Sequence, residues 1–448
     1  METAARLHAE DLADAALVLA PNGVHLNWSR DEIPRWWASC DGPPAVVEWS
    51  SQRAGTRRQT DVLEAALQHE GFVWLVANVE ALAAPGGKLM AYLKRFVRRR
   101  RAIMVVDESH AVKNPRAKRT RAVLSLAEAC PFRRCLTGTP VAQGPFDLWS
   151  QYHVLDPDIL GRRFMPFKQR YGVFRRARYG DGPAFDELVE YRNLDDLERR
   201  IAPHTSSVRK ADCMDLPPRA VSRRYFVLPP EHRRVYDAVR DELVARLDDG
   251  ASITAAQALT NLLRLQQVSR GHVVDDDGRR RDIGAPYPSV EAVVGLMAGH
   301  AGKAVVWCRF VRDADLVAAA LETVHGPGSV AACVGGTPPE SRVVMRAAFN
   351  DQSSPVRFWV GTLATGGVGV DLGAADLMVF YSHGFNLVHR MQGLERNYGS
   401  SQTSERLEVV DLVAADTADE RALAVIERKE NLAARITGAE LRRIISDA

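Results

Sequence analysis

The string AIMVVDESH ends an apolar run on two adjacent acids, Asp107 and Glu108. In open α/β sheets, ligands bind beside the carboxyl ends of the strands. Two carboxylates there suit a nucleotide with its divalent cation, Asp107 holding Mg²⁺ and Glu108 orienting an attacking water. The same residues also suit a plain strand-to-helix turn capped by Asp107 or Ser109. RCLTGTP (Arg134–Pro140) shifts the balance. Thr137 and Thr139 flank Gly138, and their hydroxyls can hydrogen-bond to an acid turn on a neighbouring strand. Further on, Thr362, Thr365, Gly366, Gly367 and Gly369 follow the apolar run FWV. Glycines let backbone N–H groups approach phosphates closely, and hydroxyls add donors. Gln392 and Arg396 lie four apart, so a helix puts them on one face. Such a pair suits nucleotide phosphate, and an arginine on transition-state charge is worth ~10³–10⁵ in rate.

These groups need strands to carry them. Short unbroken apolar runs recur: ALVLA before Pro21, VWLVA before Asn78, AIMVV before Asp107 and RCL before Thr137. A second set has AVVWC before Arg309, FWV before Gly361, LMVFY before Ser382, and LEVVDLV ending at Val413. Runs of this kind suit strands buried on both faces, hence parallel sheets covered by helices. Helical patterns fall between them, at Ala117–Ala129, Arg312–Val324, Glu340–Phe349 and Asp416–Ile436. The expectation is an α/β protein with two sheets. Residues 1–218 form a first lobe with helical elaboration from about 150, and 219–448 a second, with a helical lead-in to about 290. A chain of 448 residues is long enough for two such cores.

The order DESH, LTGTP, DLWSQYHVLDP resembles that of Swi/Snf-type ATPases of helicase superfamily two, and the likeness runs over nearly the whole chain. ALVLAPNGVHLNWSRDEIPRW is similar to the family's motif Ia, VWLVANVEAL to Ib, AVVWCRF to IV, VGTLATGGVGVDLGAADLMVFY to V and HRMQGLERNYGSSQ to VI. The resemblance implies two RecA-like lobes, joined by a mainly helical segment, that hydrolyse ATP between them and move along double-stranded DNA. It assigns catalysis to Asp107, Glu108 and Arg396, with Asp107 on the metal. It assigns ATP contact to His110, Gly369, Asp371 and Gln392, and ATP–DNA coupling to Thr137, Gly138 and Thr139. DNA contact falls to Pro21, Asn22, Asn27, Asn78, Arg309, Thr362, Thr365 and Gly366.

Two departures stand out. A Walker A loop reads GxxxxGK[ST], its backbone cradling phosphates while the lysine meets their charge. Gly87–Lys88 is followed by Leu89 and has Leu82 in the first-glycine position; Gly302–Lys303 is followed by Ala304 and has Met297 there. Neither fits. The expectation is that METAARLHAEDLADA is the helix just past the loop. A longer chain or a separate polypeptide then supplies the Walker A segment; the alternative is a DNA-binding or regulatory protein that has lost hydrolysis. In motif VI, Gly399 stands where a second arginine is usual.

The net charge of +3 neither demands nor excludes nucleic acid. Positive charge does cluster, at Lys94–Arg101 and, interleaved with aromatics, at Arg162–Tyr179. The first run reads as a solvated face and the second as a DNA contact made without base reading. Six scattered cysteines have no zinc or CxxC spacing. No apolar run spans a bilayer, so no membrane association is expected, and the chain is placed in the cytoplasm of a bacterium or a phage-infected host.

Overall fold

The computed structural model describes residues 1–22, 24–37, 42–178, 184–208, 210–248, 255–274, 279–363, 371–399, 402 and 404–436. The chain divides into two compact units.

The first unit comprises Met1–Val173, Leu188–Ser206 and Asn431–Ala448. Its sheet contains β1 (Ala15–Ala20), β2 (Ala45–Glu48), β3 (Val73–Asn78), β4 (Ala102–Asp107) and β5 (Phe132–Leu136). The strands are all parallel, in the order β2-β3-β1-β4-β5. β1 is buried along its whole length, and β3 and β4 up to their last residue. The covering helices are amphipathic. In the helix Lys88–Arg99, Leu89, Tyr92, Leu93, Phe96 and Val97 are buried at helical spacing, and Arg98 and Arg99 close its last turn. Thr56 caps the helix Arg57–Gln68 by accepting from Gln59 N at 3.3 Å.

β6 (Gly172–Ala177) and β7 (Phe185–Tyr191) pair as a two-stranded sheet. They lie in a stretch read from sequence as helical.

The second unit comprises Phe174–Glu187 and Ser207–Glu430. It holds β8 (Arg219–Phe226), the small pair β9 (His272–Val274) and β10 (Arg280–Asp282), then β11 (Lys303–Cys308), β12 (Val330–Cys333), β13 (Phe358–Thr362), β14 (Ala375–Phe380) and β15 (Leu407–Ala414). The main sheet runs β12-β13-β11-β14-β15-β8, again parallel throughout. The α/β class with two parallel sheets expected from sequence is present, one sheet in each unit; the unit bounds depart from a division at 218, with 207–218 in the second unit and Asn431–Ala448 in the first. The helices Lys118–Ala127, Val311–His325, Pro339–Asn350 and Ala418–Ile436 lie where periodicity put them.

The second core also holds charge. Arg270 is fully buried, donating to Tyr381 O at 2.7 Å and to Asp419 Oδ2 at 2.8 Å. Asp313, equally buried, accepts from Ser382 Oγ at 3.0 Å, with His272 Nδ1 3.8 Å away. Burial raises the Asp313 carboxyl to about 7. An unfolded chain releases that proton near pH 4. Between these values the folded state holds a proton that the unfolded state has lost, so Asp313 makes stability fall as pH rises from about 4 to 7. Asp313→Asn should flatten this dependence, read from melting temperatures at pH 5 and 7.5.

Candidate nucleotide and DNA site

In the first unit the expected residues lie along one edge of the sheet. Pro21 and Asn22 follow β1, Asn78 ends β3, Asp107 ends β4 and Thr137 follows β5. Parallel strands send all these carboxyl ends the same way.

Asp107 is largely withdrawn from water, and burial raises its carboxyl above the usual range. Two donors oppose that shift: Trp28 Nε1 reaches Oδ2 at 2.7 Å, and Glu108 N reaches Oδ1 at 2.9 Å. Among the described residues no lysine or arginine pairs with Asp107. Glu108 adopts the left-handed region at φ 45°, where non-glycine residues are uncommon. A single turn, Ser109–Val112, follows.

Glu108 Oε2 lies 3.1 Å from His110 Nδ1 and accepts from Thr137 Oγ1 at 3.4 Å. His110 Nδ1 also lies 3.2 Å from Thr137 Oγ1, which accepts from Thr139 N at 3.0 Å. The bond foreseen between the acid turn and the Thr-Gly-Thr turn is therefore present, made through Thr137.

A second layer holds both turns. Ser109 Oγ donates to Gln151 Oε1 at 2.7 Å, and Gln151 Nε2 donates to Pro140 O and Asp147 O, each at 2.8 Å. Asp147 Oδ2 accepts from Ala142 N at 3.0 Å and Gln143 N at 2.7 Å. Gly144 sits so close to the Tyr191 ring that a Cβ would fall 2.1 Å from its hydroxyl. Sequence reading missed Trp28, Asp147 and Gln151 as supports. The adjoining strings HLNW and DLWSQ were the available signal.

Asn22 N donates to Glu80 Oε2 at 3.0 Å, and Asn27 ends a short helix, Val24–Asn27, beyond β1. Both clusters of positive charge are partly paired. In the first, Arg95 pairs with Glu64, Arg101 with Asp11, and Arg100 donates to carbonyls including Ala66 O at 3.0 Å. In the second, Arg162, Arg170, Arg175 and Arg176 pair with Asp158, Asp196, Glu187 and Asp186. Its aromatics Phe167 and Tyr171 are core residues.

In the second unit Thr362 ends β13 and is buried. Thr365, Gly366, Gly367 and Gly369 lie outside the described residues. Gln392 is on the helix Leu387–Glu395 and Arg396 is its C-cap. Arg396 O accepts from Leu372 N at 2.7 Å, which brings this helix end beside Asp371. Arg390, a candidate substitute for the missing second arginine, is not available. It is buried, forms two hydrogen bonds with Asp411 and stacks 3.8 Å from the Phe380 ring centroid.

Arg309 follows β11 and borders a cavity of about 270 Å³ with Ser382, His383 and Phe385. Its guanidinium donates to His383 O at 3.0 Å and to Gln266 Oε1, and burial lowers its pKa. Ser382 Oγ accepts from Arg309 N at 2.7 Å and in turn donates to Asp313. Among the described residues Arg309 has no carboxylate partner.

The family model of the SNF2-related domain matches residues 4–272. The chain is 23% identical over 390 residues to human TATA-binding protein-associated factor 172, covering 75% of this chain and 21% of that protein. It is 22% identical over 329 residues to the uncharacterized ATP-dependent helicase MG018 of Mycoplasma genitalium, covering 73% and 30%. It thus spans about a fifth to a third of these relatives, which are both bacterial and eukaryotic and leave a bacterial or phage source undecided. A solved Sulfolobus solfataricus SWI2/SNF2 ATPase core in complex with dsDNA aligns at 21% identity and a TM-score of 0.40, covering 95% of this chain and 83% of that one. No helix among the described residues is long and apolar enough to cross a membrane.

Thr137→Val should remove the acceptor of the Thr139 amide while keeping shape. A hydrogen bond of ~1 kcal/mol corresponds to roughly fivefold faster amide exchange at Thr139, measurable by hydrogen–deuterium exchange.

Proposed function

Because the chain belongs to the SNF2-related domain family, we propose that it is the motor core of an ATP-driven translocase that tracks duplex DNA by its backbone. The observation that supports this most is the Asp107–Glu108 turn, bonded through Thr137 to the neighbouring Thr-Gly-Thr turn. The functional division falls near residue 218, with β8 opening the second lobe.

Asp107 fits a divalent cation. It is a desolvated carboxylate that accepts from two N–H groups and has no cationic side chain paired with it among the described residues. Mg²⁺ bound there would supply charge neutralisation for a phosphate chain. Glu108 Oε2 takes the proton of the attacking water, and the contacts of that oxygen with His110 and Thr137 hold it in place. Through Gly138 and Thr139 the same bonds couple hydrolysis to the DNA side. Gln392 and Arg396 contact nucleotide phosphate beside Asp371, with Arg396 stabilising transition-state charge; Gly369 belongs to the same nucleotide set.

The two Gly-Lys pairs do not fit a phosphate cradle. Lys303 donates to Asp351 O and Val356 O at the start of β11, and Lys88 opens a helix on the surface. On this reading a Walker A segment other than these two pairs supplies the cradle.

For DNA, the residues at the strand ends carry the reading: Pro21, Asn22, Asn27 and Asn78 in the first lobe, and Arg309, Thr362, Thr365 and Gly366 in the second. Arg309 is the strongest of them, a cation without a carboxylate partner among the described residues.

The test is ATP hydrolysis with and without duplex DNA, by this chain alone and with a Walker A segment supplied in cis or in trans. DNA-stimulated hydrolysis is expected only with the segment, and Glu108→Gln should lower it roughly 100-fold or more. DNA binding without hydrolysis in either form would leave a non-catalytic DNA-binding protein on this fold. A Cβ at Gly399 meets open space. Gly399→Arg should therefore fold normally and speed hydrolysis about tenfold, as one added charge-assisted contact would.

A further inference from the structure

In the first sheet β1 lies between β3 and β4. The chain leaves β1 toward one side of the sheet and later returns to the other. The crevice between the carboxyl ends of β1 and β4 is thus the point where strand order reverses, the place where such sheets bind ligands. Two side chains meet there. One is Asp107 at the end of β4, and the other is Trp28 from the turn beyond β1. Trp28 opens a π-turn, Trp28–Glu32, inserted between the short helices Val24–Asn27 and Ile33–Trp36. Turns of this width are rare and concentrate at functional sites. This one is pinned by Ile33, which is fully buried, and by Ser29, which donates to Glu48 Oε2 at 3.1 Å. The Trp28 ring packs against the apolar cluster containing Ile33 and Val18.

Indole nitrogen is a donor only. Its bond to Asp107 Oδ2, at 2.7 Å, therefore uses the carboxylate as acceptor and brings no positive charge with it. A lysine or arginine in this place would hold the carboxylate equally well but would neutralise it. We infer that Trp28 is the positioning residue of the cation site: its indole N–H fixes the orientation of Asp107 and leaves the carboxylate charge for a divalent ion. This rests on the reading of Asp107 as the metal ligand.

The experiment uses the full chain and Mn²⁺ alone as probe. Free Mn²⁺ is followed by electron paramagnetic resonance and the protein by tryptophan emission. Trp28→Phe keeps the apolar packing and loses the N–H. It is expected to weaken Mn²⁺ binding roughly tenfold, the usual cost of losing a group that orients a ligand. Its circular dichroism and melting temperature should stay near those of the unsubstituted chain. Trp28→His, which restores a ring N–H, should regain part of the affinity. Mn²⁺ should change the emission of the unsubstituted chain, and that change should be lost in Trp28→Phe. Asp107→Asn should abolish binding. If Asp107→Asn abolishes binding while Trp28→Phe binds as well as or better than the unsubstituted chain, the positioning role is wrong and the cation site stands. If the unsubstituted chain takes up no Mn²⁺, or Asp107→Asn binds it equally well, the metal reading of Asp107 falls and the role of Trp28 falls with it.

Discussion

A parallel sheet covered on both faces leaves polar side chains only one convenient exit, the strand ends. Every strand in each main sheet runs the same way, so five strand ends in one unit and six in the other open onto one edge. Interior positions are committed to packing: Trp74, Trp307 and Trp359 are at most 1% exposed. Side chains able to do chemistry are thereby concentrated at the last residue of a strand or in the turn after it. Asp107, Asn78, Thr137, Arg309 and Thr362 all occupy such positions. The crevices at the two reversals of strand order, β1/β4 and β11/β14, hold Asp107 with Trp28 and Arg309 with Ser382.

Within each edge, hydrogen bonds rather than ion pairs do most of the holding. Asp107 is held by an indole and a backbone N–H, and Arg309 by a carbonyl and an amide. Ion pairs are found elsewhere: Arg390 with Asp411, Arg270 with Asp419, and several surface arginines of the two basic clusters with nearby acids. Surface pairs of this kind contribute little to stability. They do, however, offset part of the charge of each cluster.

Much of this was legible in the residues. Apolar runs ending in Asp107 and Arg309 marked strands buried on both faces, and the Thr137 contact followed from hydroxyls placed one strand away from an acid pair. The misses have physical causes. β8, RAVSRRYF, shows no apolar run because an edge strand buries little, and all but two of its residues are exposed. β2 and β12, four residues each, are too short for periodicity to register. In the arginine–aromatic stretch, composition does not show which residues meet a core. Phe167 and Tyr171 turned inward, and the arginines met acids 4 to 26 positions away in sequence. Trp28 escaped notice because its partner lies 79 residues on.

The second core is closed by residues far apart in the chain. Among the described residues β8 pairs only with β15, and Arg270 reaches Asp419 across 149 residues. A ribosome makes β8 and Arg270 long before it makes their partners. Until β15 and Asp419 emerge, the nascent lobe carries an unpaired strand edge and a guanidinium with no counter-charge in a site meant to be dry. Its completion therefore waits on the synthesis of β15 and Asp419. A product stopped short of β15 would present that edge to whatever strand it met first.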